Sequence, residues 1–134
     1  MITIKGYLEQ LGYHTVPDET FSHIDEWLEW YQGYVKKFHS YSVYNGMKKI
    51  TQKRMTMGMA KKVAEDWANL VLNEKVAIKA GKYSERLQEI LDRNNFRVRG
   101  NQLVELTYAL GTGAFVEYLA DGEVVVDYIR ADMI

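Results

Sequence analysis

The sequence predicts an α+β fold, mainly helical with a C-terminal β-hairpin, and three observations carry that expectation. Apolar residues recur at helical spacing in several separate stretches, the period switches from 3.6 to 2 near Gly111, and no strand–helix–strand alternation or internal repeat appears. The 134 residues, 47% hydrophobic and 26% charged, suit a single folded domain over residues 1–134 with one core. Cysteine is absent, which excludes disulfides and thiolate metal sites and permits assembly in a reducing cytoplasm. No stretch approaches the roughly 18 apolar residues of a membrane helix, and the opening MITIKGYLEQ has no basic flank before an apolar run. No membrane association is therefore expected.

Taken in order, Thr3 can cap a short helix with Ile4, Tyr7, Leu8 and Leu11 on one face, closed by a left-handed Gly12. The run VPDET, with the only proline, reads as a loop, after which Thr20 or Ser22 can start a second helix. Its face holds Ile24, Trp27, Leu28, Tyr31, Val35 and Phe38, and Trp30 and Tyr34 widen it to an arc of roughly 160°. One neighbour does not cover so wide an arc. Part of the margin at Trp30 and Tyr34 is thus expected to be exposed or covered by a second copy, beside Lys36 and Lys37 at the end of the same helix, the alternative being that both rings are ordinary core.

Residues 39–55 have no sustained helical period and read as irregular, or as a hairpin turning at Asn45-Gly46. Met59, Val63, Trp67, Leu70 and Val71 mark a third helix ending near Asn73, with Lys61, Lys62, Glu65 and Asp66 on its wet side. The alternating run KVAIKAGKY is expected to be a strand. Ser84 can cap a helix carrying Leu87, Ile90 and Leu91, broken by Asn94 and Asn95, and Leu103, Leu106, Thr107 and Leu110 place another before Gly111. AFVEYL and EVVVDYI, joined by Asp121-Gly122, form the terminal hairpin. The chain stops on an apolar residue just after a strand, which reads as a fragment of something longer, with a natural terminus as the alternative.

Charge is unevenly spread. The net charge of -1 argues against a generic polyanion binder, yet the segment from Trp30 to Ala64 carries +8 and no acid, leaving -9 for the rest. The candidate interface therefore comprises Trp30, Tyr34, Lys36, Lys37, Lys48, Lys49, Lys53 and Arg54. Lysines interleaved with Tyr41 and Tyr44 could also grip a nucleic-acid backbone and stack bases, which makes a small nucleic-acid-binding protein using residues 36–62 the alternative function.

No active site is legible. His14, His23 and His39 lack metal-ligand spacing, and Gly111-Thr112-Gly113 follows a helix and precedes a strand, the reverse of a phosphate loop. Glu117, Glu123 and Asp127 share the hairpin, but a metal nuclease would want a lysine beside them and the hairpin has none. Neither catalytic residues nor a cofactor nor a metal is expected.

The run RMTMGMAKKVAEDWANLVLNEKVAI resembles the block with which portal proteins of many phages of Gram-positive bacteria begin. Upstream, WLEWYQGYVKKFHSY is similar to the family's tryptophan, tyrosine and glycine segment, and downstream ALGTGAFVEYLADGEVVVDYIRADMI to its glycine-led hairpin. The likeness covers most of the chain and is weakest before about Phe21 and from Ser84 to Asn94. It implies the wing-like N-terminal part of a longer portal protein, structural and not enzymatic, in the head-to-tail connector through which DNA is packaged and ejected. The partners it implies are other portal subunits in a dodecameric ring and, through the full-length protein, the capsid, the terminase and tail connector proteins. The location it implies is the virion, assembled in the host bacterial cytoplasm. The channel and terminase-binding parts of the family lie in later sequence, so no specific nucleic-acid binding is expected of this segment.

Overall fold

The computed structural model describes residues 4–133, and the expected cap at Thr3 lies outside them. The fold is α+β as expected, with six α-helices, two single-turn 3₁₀ helices and two separate two-stranded antiparallel sheets among the described residues.

Helix α1 (Ile4–Gln10) closes at Gly12, and Lys5 reaches Asp18 at 2.7 Å. Helix α2 (Asp18–Gln32) starts directly after Pro17, earlier than Thr20 or Ser22. Asp18 and Glu19 fill its first turn, where the helix dipole favours acids, while the Ser22 hydroxyl donates back to the Glu19 carbonyl. The helix expected to reach Phe38 stops at Gln32. Gly33 takes a left-handed conformation (φ 87°), its N–H donates to Trp30 O, and the Tyr34 N–H donates to Glu29 O, each at 3.1 Å. This pair of bonds closes the helix, and Val35 and Phe38 continue the apolar period only by coincidence. Lys36 and Lys37 consequently belong to a separate single turn, α3 (Lys36–His39).

The irregular reading of residues 39–55 gives way to its alternative. Strands β1 (Ser40–Tyr44) and β2 (Lys49–Lys53) pair from Ser40↔Lys53 to Tyr44↔Lys49, with a turn held by Asn45 Oδ1, which accepts the N–H groups of Met47 and Lys48. Helix α4 (Met59–Val71) falls where its period placed it. The run expected as a strand after it does not pair with any strand. Its last three residues, Gly81–Tyr83, form a 3₁₀ turn, and Val76 and Ile78 line a small cavity of about 120 Å³ against α5 (Ser84–Arg93) and α6 (Phe96–Leu110). α6 begins at a left-handed Asn95 (φ 51°), two turns before Leu103. Strands β3 (Gly113–Ala120) and β4 (Glu123–Arg130) form the terminal hairpin, and Asp121 and Gly122 both have positive φ, as a type I′ turn requires.

Helix α6 is the axis of the core. Ile24 of α2, Leu110 of α6 and Ala131 are buried together, with Leu28, Leu106 and Ala109 around them, while Leu103 and Val126 are buried on the side of the terminal hairpin. Helix α4 packs on α6 with Ala64 and Ala68 buried, while its large apolar stripe stays mostly outside and touches α6 through the stack of Trp67 on Tyr108. At the C-terminal end of α4, Gly100 leaves room for Leu72, since a Cβ there would stand 2.6 Å from Leu72 Cδ2. Met59, Val63, Trp67, Leu70 and Val71 are left 48–69% exposed, contrary to the expectation that they mark the inner face. Close helix contact selected the small side chains over the most hydrophobic ones.

Candidate interaction surface

Two neighbouring features stand open on the α2–α4 side. The first is the β1–β2 hairpin, whose contacts with other elements are mainly with α3, so that it forms an arm. Directly paired residues point to one side, so Tyr41, Val43 and Ile50 share an apolar face and Ser42, Tyr44, Lys49 and Lys53 the polar one. Nearly every arm residue is exposed on either face, and Met47 at the turn is 88% exposed.

An aromatic cluster roots the arm. His39, buried, accepts the Val35 N–H on Nδ1 at 2.9 Å and is surrounded by Trp30, Tyr34 and Phe38, with ring centroids 5.1–5.9 Å away. The Arg54 guanidinium lies over Phe38 and Tyr41 at 4.7 and 4.4 Å and donates to the Phe38 carbonyl. Of the sequence-derived candidates, Trp30 and Tyr34 therefore pack one side on His39 and leave the other open, at 37% and 48% exposure. Lys36, Lys37, Lys48, Lys49 and Lys53 are exposed on α3 and the arm, while Arg54 is engaged in fixing the arm's base.

The second feature is a groove of about 360 Å³ between α2, α4 and α6, walled by Trp27, Trp30, Val63, Trp67 and Tyr108. Trp67 stacks on Tyr108 at 5.8 Å, and both are half-exposed. At its floor the Tyr31 hydroxyl donates to Glu105, and Lys61 stands 5.9 Å above the Tyr31 ring. Burial, then the Glu105 carboxylate, pushes the Tyr31 phenol well above its usual range. Trp30 also borders a second hollow of about 350 Å³ with Met55, Met57 and Met59, and these methionines are 57–93% exposed. Tyr108 carried no signal in the sequence, because only the crossing of α4 over α6 brings it to Trp67.

The carboxylates considered for metal chemistry do not converge. Glu123 pairs with Arg93 at 2.6 Å and Asp127 with Arg99 at 3.4 Å, while Glu117 lies on the opposite face of the hairpin by strand alternation. Among the described residues no three metal-ligating side chains gather, and no helix is long and apolar enough to cross a membrane. No protein-family model matches this chain, and no curated protein or solved structure matches it significantly.

Proposed function

We propose that this chain is a structural element of a phage portal ring, the wing-like N-terminal part of a longer portal protein, without enzymatic activity. Its role is contact with neighbouring subunits and the capsid, with terminase and tail connector proteins bound through the full-length protein, in a virion assembled in the bacterial cytoplasm. One observation supports a scaffold above other roles. The accessible surface is 10653 Å², nearly half as much again as the roughly 7,300 Å² of a compact monomer of 15.6 kDa. Much of the excess is apolar: the α4 stripe, the aromatic groove and the methionines beside it. Surfaces of this kind belong to chains that are completed by neighbours.

Expressed within its complete reading frame, the protein is expected to form closed rings with a central channel in electron micrographs. Discrete monomers would refute the reading. A second reading, nucleic-acid binding by the arm, is favoured by the exposed Lys48, Lys49 and Lys53 next to Tyr41 and Tyr44. Filter binding at two salt concentrations separates the two. The scaffold reading expects only weak retention that salt abolishes, and the second expects sub-micromolar binding that survives raised salt.

A further inference from the structure

We infer that the β1–β2 arm of one chain seats, apolar face down, in the α2–α4–α6 groove of a second copy. The inference deepens the scaffold reading and rests on it for the expectation that copies meet. Four observations identify the occupant. The arm offers Tyr41, Val43 and Ile50 on one face, and the groove offers Trp27, Trp30 and Trp67, so each side has apolar area that the chain itself leaves wet. Charge is complementary as well. The arm carries Lys48, Lys49 and Lys53 with no acid, whereas α2 carries Asp18, Glu19, Asp25, Glu26 and Glu29 with no lysine or arginine, and on the α4 wall Lys61 and Lys62 are each paired with an acid, Glu65 and Asp66. Glu26 lies one helical turn before Trp30, and Glu19 one turn before His23, whose ring stacks on Trp27, so both acids stand on the shoulder of the groove.

The dimensions agree. A ladder of five residue pairs extends about 17 Å, and a 15-residue helix about 22 Å. The area agrees too, since the surplus surface exceeds the roughly 1,600 Å² that a standard interface buries in total. Within one chain the arm packs on α3 and leaves the groove open. Arm and groove are different surfaces of the same chain, so the contact is head to tail: each copy gives its arm in one direction and its groove in the other.

The test is a charge exchange read by sedimentation. Lys48→Glu/Lys49→Glu reverses the arm, and Glu19→Lys/Glu26→Lys reverses the shoulder of the groove; all four side chains are exposed, so the chain should stay folded, the arm variant melting as the parent does and the groove variant only slightly lower, through the loss of Glu19 from the first turn of α2. The parent chain is expected to self-associate, less so at high salt, and each double variant to associate at least about tenfold more weakly. Mixing the two variants should restore association, because each reversed arm then meets a reversed shoulder. If both variants associate as the parent does, the copies meet elsewhere, and the inference fails while the scaffold reading stands. A parent that stays monomeric at every concentration also overturns it, and ring formation by the complete protein then decides the scaffold reading separately. A monomeric parent whose arm lysines instead hold a DNA oligonucleotide makes the arm a nucleic-acid surface and ends the inference.

Discussion

The two hairpins of this protein are alike in backbone and opposite in circumstance. Each is a two-stranded antiparallel ladder, yet β3–β4 lies on α6 with Val126 buried and Phe115 against Phe96, whereas β1–β2 leaves both faces wet. The terminal hairpin is also tied at its edge. Asn94 donates to Val124 O and accepts the Val126 N–H, each at 3.0 Å, acting as a one-residue strand, and Arg93 and Arg99 pair with Glu123 and Asp127. An isolated two-stranded hairpin is marginal in water, and what stabilises it is the layer that covers one face. One half of the molecule thus covers its apolar faces within the chain, and the other half leaves them exposed.

Removing the layer under the complete hairpin should have the largest effect. Leu103 is 4% exposed and touches the hairpin at Gly113, where a Cβ would come within 2.6 Å of it. Leu103→Ala is expected to cost about 3 kcal/mol, seen as a lower urea midpoint with an unchanged slope. A cost below about 1 kcal/mol would mean that the two hairpins differ less than their burial suggests. Releasing the edge comes next. Asn94→Ala leaves Val124 O and Val126 N–H without that partner and should cost about 2 kcal/mol, with faster amide exchange at Val126. Unchanged exchange there would show that the edge needs no clamp.

Much of this division could not be read from the sequence, for identifiable physical reasons. The terminal hairpin was legible because alternation and Asp121-Gly122 point the same way, and α4 because its 3.6 period is unbroken. The end of α2 was hidden, since Val35 and Phe38 stay in phase beyond Gly33. The inner face of α4 is not the one its period marks, because Ala64 and Ala68 rank below Val63 and Trp67 in hydrophobicity but are the side chains that the helix buries. Asn94 read only as a helix breaker, although its amide also serves β4 from thirty residues away. The exposed margin at Trp30 and Tyr34 could be anticipated from the width of the apolar arc, but the groove beside it depends on Tyr108, which only the tertiary crossing supplies.

Between the two halves sits the Tyr31–Glu105 hydrogen bond, which joins α2 to α6 beneath the groove. Tyr31→Phe should cost about 1.5 kcal/mol at neutral pH, as a bond to a carboxylate is lost. Its pH dependence has a definite sign. The folded-state pKa is raised above the ordinary value of 10.0, so the native state holds its phenolic proton more tightly than the unfolded chain does. That stability is fully present below pH 10 and is lost as pH rises toward the folded-state pKa. Parent and Tyr31→Phe melts should therefore converge above pH 10, and a gap that stays constant there would place the bond's energy elsewhere.

The smallest expected effect falls on the arm and tests the comparison most directly. Val43 and Ile50 pair across the β1–β2 ladder on its apolar face, and Val43 is 46% exposed. Were the arm part of the chain's own core, Val43→Ser would cost as much as a buried valine does, about 2 kcal/mol. With that face wet, the side chain contributes only its share of cross-strand packing. The melting transition should then move by no more than about 0.5 kcal/mol equivalent. The anchors at the arm's base, Arg54 over Phe38 and Tyr41, are untouched by the substitution, so the ladder itself should persist. A loss near the buried value would mean that the apolar face of the arm is already covered within one chain, and the contrast between the hairpins would collapse with it.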